Sequence, residues 1–220
     1  MSNELVVIAR LLTPGGEVRD QVLERLKKIA QEAHDAEPST TVYAIFIPRE
    51  DDGTTIVVAE WYKDQAGFDL HMKSQSVKEI LDWAPSIPFF ATNPPHLTLQ
   101  PVSKEFAFSR PAAGTHPDPH VIIAELDYIP GGVQTSTPYW KAVADTGRDK
   151  EDGTILYGLL KDPNAENKLY TFEAYESPEY LKSVHVPSDA VSENIKNTKH
   201  LRTGLKHTIL KKVGGYLYKE

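Results

Sequence analysis

The chain of 220 residues contains no cysteine, which removes disulfides, thiolate nucleophiles, zinc ribbons and iron–sulfur clusters together and makes the cytosol the expected compartment. No segment approaches the ~18 unbroken apolar residues of a membrane span, so a membrane is not an expected partner. The start, Met1 to Leu5, has no basic stretch leading into an apolar run, and no export signal is expected. Basic clusters are missing too. The densest run is Lys211-Lys212, and 31 acidic against 24 basic residues give a net charge of −7 that repels phosphate backbones, so nucleic acid is not expected either. Gly15-Gly16 and Gly131-Gly132 lack the further glycines of a phosphate loop or dinucleotide fingerprint and read as turns. The eight histidines show no His-x-His or His-Glu-x-x-His spacing, so no metal is expected. What remains is globular composition, 40% hydrophobic and 25% charged, at a length that suits one large domain or two small ones.

One unit is written twice. Val6-Val7-Ile8-Ala9 leading to Pro14-Gly15-Gly16 recurs as Val121-Ile122-Ile123-Ala124 leading to Pro130-Gly131-Gly132. Glu37 to Tyr43 recurs as Glu151 to Tyr157, Glu60-Trp61-Tyr62 as Glu173-Ala174-Tyr175, His71 as His185 and His96 as His207. Five matches in one order indicate duplication. Between the copies, residues 109–119 carry three prolines and a glycine that cannot continue a helix or central strand, so they read as a linker between domains 1–108 and 120–220.

Each copy follows one pattern. Leu5 to Leu12 is a buried strand closed by Pro-Gly-Gly, and apolar residues every three to four positions from Glu17 to Ala33 make one helix face. Val42–Pro48 and Thr55–Tyr62 form a hairpin across the turn residues Glu50 to Gly53. Asp64 caps a second helix whose face is expected to carry Phe68, His71, Met72, Ile80 and Leu81; in the second copy Ser177 is the cap and Pro178 opens the helix. A last strand follows His96 or His207. The order β-α-β-β-α-β puts two helices on one face of a four-stranded antiparallel sheet. Packing the two bare faces together gives a barrel-like sandwich with room inside.

Glu37-Pro38 before Val42-Tyr43, Glu60-x-Tyr62 at a strand end and His71 on the following helix resemble the antibiotic biosynthesis monooxygenase family of dimeric α/β barrels. Ser39 stands where that family has a turn glycine; the second copy keeps Gly153 there but lacks the proline, and its His185 lies one residue further from Glu173 than His71 from Glu60. The resemblance implies an α+β fold of two ferredoxin-like repeats forming an intrachain dimeric α/β barrel. It also implies a ligand cavity between sheet and helices, and oxidation of phenolic or anthrone-type molecules by molecular oxygen without metal or flavin. Relatives also degrade haem or isomerise small sugars. The haem branch is disfavoured, because the first strand offers Ala9 and Arg10 instead of asparagine and Leu81 stands where an iron-ligating histidine belongs.

Oxygen reacts with a closed-shell molecule only if that molecule can donate an electron, as deprotonated hydroquinones and anthrones do. Such a site needs a base titrating near neutrality and aromatic walls in a dry pocket. His71 is the candidate catalytic base; it reads equally as a hydrogen-bonded core histidine. Trp61, Tyr62, Tyr43, Phe68 and Met72 are candidate substrate-binding residues, with His185, Tyr175 and Tyr157 their second-copy counterparts. Glu60 and Glu173 read as partners of Arg or Lys. The segment Ala84 to Pro95, rich in proline and aromatics, is a candidate pocket cap. Because Trp61 faces Ala174 in the repeat, one principal cavity is expected in the N-terminal half, with the C-terminal half mainly closing the barrel. The expected partner is a small aromatic molecule, with oxygen as co-substrate and no cofactor; a homodimer of the fused chain stays open. A non-catalytic binding or stress-associated module and an isomerase using the same cavity are the competing readings.

Overall fold

A computed structural model describes residues 3–87 and 96–220. Both copies adopt the expected order. Strand β1 (Leu5–Leu12) leads through Gly15, whose φ of 85° few other residues tolerate, into helix α1 (Gly16–Ala36). Strands β2 (Thr40–Pro48) and β3 (Thr55–Tyr62) pair antiparallel, and β1 pairs with the other edge of β3 from Leu5 opposite Tyr62 to Leu12 opposite Thr55. The second helix differs from expectation. It breaks into α2 (Gln65–His71), capped by Asp64, and α3 (Gln75–Trp83), capped by Ser74, because Ser74 accepts the amide of Val77 and starts a new helix. Met72 and Leu81 consequently face outward, 40% and 52% exposed. Strand β4 (His96–Pro101) follows. The core of this repeat joins the apolar face of α1 to Tyr43, Ile45, Ile56 and Val58 of the sheet.

The C-terminal copy repeats the plan. Strand β6 (His120–Tyr128), helix α5 (Gly132–Lys150), strands β7 (Thr154–Lys161) and β8 (Lys168–Tyr175), helices α6 (Pro178–Tyr180) and α7 (Asp189–Thr198) and strand β9 (Arg202–Tyr216) follow in turn. β6 lies between β8 and β9, with Ala124 opposite both Thr171 and His207. The last strand starts at Arg202, so His207 is mid-strand and not its herald. In both copies the hairpin register slips at the same place, between Thr40 and Val42 and between Thr154 and Leu156. Such a bulge bends the strand and re-aims its neighbours.

The compact units do not follow a boundary at residues 109–119. Residues 3–98 group with 211–220, and residues 99–210 form the other unit. The end of the chain completes the first repeat: the Tyr216 hydroxyl donates to the Thr40 carbonyl at 3.0 Å, and Lys219 Nζ to those of Ala33 and Glu37 at 2.8 and 2.9 Å. Gly215, at φ 69°, permits this approach, since a Cβ there would lie 1.9 Å from the Tyr43 carbonyl oxygen. The expected linker is itself structured. Ala107–Ser109 is a strand, β5, paired with β7, and Pro111 opens helix α4 (Pro111–Thr115) as a first-turn proline can. Arg110 pins the segment to the unit by donating to the carbonyls of Gly147, Arg148 and Thr154.

Candidate functional site

The helix-facing side of each sheet carries the same polar constellation. In the N-terminal repeat His71, the last residue of α2, is buried with Nδ1 at 2.9 and 3.2 Å from the two carboxylate oxygens of Glu37, and Thr40 donates to that carboxylate at 2.6 Å. In the C-terminal repeat His185 Nδ1 lies 2.7 Å from Glu151, to which Thr154 donates at 2.7 Å. Beside each pair a tyrosine donates to the second glutamate: Tyr62 to Glu60 at 2.6 Å and Tyr175 to Glu173 at 2.8 Å. In each copy the threonine amide also donates to the carbonyl of the first glutamate, Glu37 or Glu151, at 3.1 and 3.0 Å, a turn that sets the hydroxyl against the carboxylate. Glu60 and Glu173 are thus acceptors of tyrosine hydroxyls, correcting the expectation of Arg or Lys partners.

Burial opposes a charge on His71, but its hydrogen bond to Glu37 and the nearby Glu60 carboxylate prevail and raise its pKa. Burial likewise pushes Glu37 upward, and the hydrogen bonds from His71 and Thr40 outweigh it, leaving the carboxylate below its ordinary value. Burial raises Glu60. It also raises Tyr43, Tyr62, Tyr157 and Tyr175, so these phenols stay protonated at neutral pH and act as hydrogen-bond donors and not as bases.

Tyr43 and Tyr62 flank His71 with ring centroids 5.4 and 5.5 Å away, and Phe68 meets Tyr62 edge-on. Tyr157 and Tyr175 flank His185 at 6.3 and 5.1 Å. Trp61 is not part of this cluster. Alternation along β3 puts Glu60 and Tyr62 on the histidine face and Trp61 on the opposite one. Met72 follows the end of α2 and is exposed, so it does not join the site. Of the candidate cap, residues 88–95 lie outside the described residues.

The extra residue before His185 is absorbed by a π-helical turn, Leu181–His185, in which the Val186 amide reaches back five residues to the Leu181 carbonyl at 2.9 Å. One added residue in a regular helix would swing His185 by about 100° away from Glu151. The wide turn cancels that rotation, and such bulges recur at functional sites. The turn glycine is explained similarly. A Cβ on Gly153 would lie 2.5 Å from the Tyr180 ring, whereas Ser39 sits against Gly67, where a Cβ would come within 2.7 Å of it. Each copy keeps its glycine on a different side of one contact.

The C-terminal repeat holds a cavity of about 450 Å³ between sheet and helices, within the range of small-molecule sites. His185 and Glu173 line it together with Ile122, Leu126, Trp140 and Leu205. The structure thus places a cavity in the repeat that was expected mainly to close the barrel. Among the described residues no group of three or more His, Asp or Glu side chains is placed to hold a metal, and no helix is long and apolar enough to cross a membrane. Sequence reasoning missed Glu37 and Glu151 as histidine partners, although each stands 34 positions before its histidine.

Residues 5–83 match the family model of antibiotic biosynthesis monooxygenases. No curated protein sequence matches the chain. A candidate monooxygenase from Lactobacillus acidophilus NCFM has the same fold over 99% of this chain and 100% of its own, with a TM-score of 0.82 at 15% identity. A second candidate monooxygenase, from Fusobacterium nucleatum, covers 100% and 99% with a TM-score of 0.78 at 18% identity. An anthrone oxidase-like protein covers 96% and 92% with a TM-score of 0.60 at 11% identity. At these identities the likeness is one of fold, and it extends over both repeats.

Proposed function

We propose, from the premise that the N-terminal repeat belongs to the antibiotic biosynthesis monooxygenase family, that this chain is a cofactor-independent monooxygenase oxidising an aromatic, phenolic or polyketide-like molecule with molecular oxygen. The observation that carries the reading is a glutamate-held histidine, His185, in the wall of a largely apolar cavity. With its Nδ1–H given to Glu151, the ring presents Nε2 as its basic atom, and the carboxylate stabilises the imidazolium that forms. Nε2 takes a proton from an activated CH2 or phenol of the substrate. The resulting anion passes one electron to oxygen, the radical pair combines to a peroxide, and the imidazolium returns the proton. Loss of water from the C–H hydroperoxide leaves a carbonyl, so one O2 converts CH2 to C=O plus one H2O. Apolar walls exclude water from the anion. The protonated Tyr157 and Tyr175 pack about the ring and keep it oriented.

His71 is the base of the equivalent dyad in its own repeat. The principal site is assigned to His185, reversing the weight that Trp61 lent to the N-terminal half, because Trp61 lies on the other face of its sheet. Oxygen consumption with anthrone as substrate, after dialysis against a chelator, tests the assignment. The expected result is turnover above the autoxidation blank that falls about 10²–10⁴-fold in His185→Ala and less in His71→Ala. No turnover above the blank with anthrone or hydroquinones, or an unchanged rate in folded His185→Ala, overturns it.

A further inference from the structure

The two copies differ where polarity meets the cavity. With Glu173 equivalent to Glu60, Thr171 stands at the position of Val58; with the caps Ser188 and Ser74 aligned, Asn194 and Thr198 stand where the first copy has Ile80 and Ala84. All three C-terminal residues are buried, Thr171 at 0% and Asn194 at 2% exposure. Three apolar core positions of one copy are thus polar in the other, and burying polar groups is unfavourable unless something bonds them.

Part of that polarity is used within the chain. Arg202 lies with its guanidinium 5.2 Å from the centre of the Trp140 ring, whose Nε1 donates to the Tyr128 hydroxyl at 2.8 Å. Arg202 Nη2 donates to Asn194 Oδ1 and, at 3.1 Å, to Thr198 Oγ1. This donor fixes the Asn194 amide, since the flipped form would set two N–H groups against each other. The rest is left over. Arg202 Nε, Asn194 Nδ2 and Thr171 Oγ1 are all buried and have no hydrogen-bond partner among the described residues. No carboxylate pairs with Arg202 among the described residues. All three residues line the cavity that His185 and Glu173 also line.

The arrangement has a direction. Along β6 the cavity face runs from Ile122, opposite Glu173, through Ala124, opposite Thr171, to Leu126, and Arg202 pairs two residues further on with Tyr128. The carboxylate of Glu173 marks the histidine end, and the unpaired donors of Arg202 and Asn194 mark the other. Resting on the oxidation proposed above, we infer that its aromatic substrate bears one acidic oxygen group at the end away from the reacting carbon. The acid is seated on Arg202 and Asn194, Thr171 meets a polar atom midway, and the reacting carbon lies at His185. With the unpaired donors at one end of the cavity only, the acid end is placed in one orientation, away from His185.

Fluorescence titration with anthracene-2-carboxylate and its neutral isostere 2-(hydroxymethyl)anthracene, under nitrogen so that no turnover occurs, reads the proposal directly. The carboxylate is expected to bind about 10–100-fold tighter than the alcohol, the worth of hydrogen bonds to a charged group. Arg202→Gln should abolish that ratio, weakening the carboxylate far more than the alcohol. Asn194→Ile, which restores the residue of the first copy, should reduce the ratio in a core that tolerates isoleucine, and so serves if Arg202→Gln fails to fold. Equal binding of acid and alcohol by the wild type, or an unchanged ratio in either folded variant, overturns the inference. A clear acid preference without oxygen uptake by any substrate would overturn the proposed oxidation and leave the acid site standing.

Discussion

Replacing Glu37 by glutamine isolates the charge of the N-terminal dyad. Glutamine keeps the shape of the side chain, and its carbonyl oxygen still accepts from Thr40 and from His71 Nδ1–H, so what is lost is the carboxylate's charge between two buried partners 2.9 Å apart. A hydrogen bond to a charged group contributes about 1.5–3 kcal/mol, and removing one member of a buried ion pair outright costs about 3–5 kcal/mol. Glu37→Gln should therefore destabilise its unit by about 2–3 kcal/mol near pH 6. The pH dependence carries the sharper test. His71 has a folded-state pKa above its ordinary 6.5, so its contribution is complete below that value and lost as pH rises through the raised pKa. Glu37 has a folded-state pKa below its ordinary 4.5, so its contribution is complete above that value and lost as pH falls through the lowered pKa. The stability difference between wild type and variant should peak in the window between the two folded pKa values and shrink on both sides. Hydrogen exchange of the β2 and β3 amides across pH 4 to 9 measures it within this unit. A difference that is constant over that range, or that keeps growing toward pH 9, would refute a coupled Glu37–His71 pair.

Gly215→Ala should lower the thermal midpoint of the unit containing residues 3–98, because φ of 69° costs an L-residue about 1–2 kcal/mol and the new Cβ meets the Tyr43 carbonyl at 1.9 Å; an unchanged midpoint and unchanged proteolysis of the C-terminal segment would count against the close approach. Gly153→Ser should destabilise strongly through the Tyr180 ring, and adding Tyr180→Gly should recover much of the loss, a coupling of about 0.5–3 kcal/mol in a double-mutant cycle; strict additivity of the two changes would contradict the contact. Deleting Val184, exposed within the π-helical turn, should leave a regular helix with His185 still beside Glu151. Ring-nitrogen NMR shifts like those of wild type are expected, and loss of the His185–Glu151 hydrogen bond in a folded deletion variant would show that the wide turn does not serve to hold that register.

The duplication and the strand-helix order were legible because they depend on local chemistry. Alternating or continuous apolar runs, Pro-Gly-Gly turns and the caps Asp64 and Ser177 each act within a few residues, and α2 and α6 begin at those caps. The break at Ser74 was legible in principle by the same logic, since a serine before a fresh apolar turn is a cap signal, but the apolar positions run through it and conceal it. The destinations of the chain ends were not legible. Nothing within Arg202–Tyr216 states that its last residues border Tyr43 of a strand some 170 positions earlier, because pairing partners are fixed by topology and not by local pattern. Gly214-Gly215 was the only local hint.

The site divides along the same line. Its histidines, tyrosines and glutamates all stand in the matched segments, and the common separation of 34 residues between Glu37 and His71 and between Glu151 and His185 was the available signal for the dyads. A hydrogen-bonded pair must keep its partners in register through a duplication, whereas unrelated surface glutamates need not. Aromatic count could not choose the wall, for a physical reason. A tryptophan buried in a core and one lining a ligand satisfy the same apolar preference, so Trp61 carried no information on which face of β3 it takes. Unpaired polarity discriminates where apolarity does not, because Thr171 in place of valine and Asn194 in place of isoleucine weaken a closed core and strengthen a site that receives a polar ligand. After a fused duplication each copy drifts separately, and on the reading proposed above the polar groups gained by one core alone point to the half that takes a ligand.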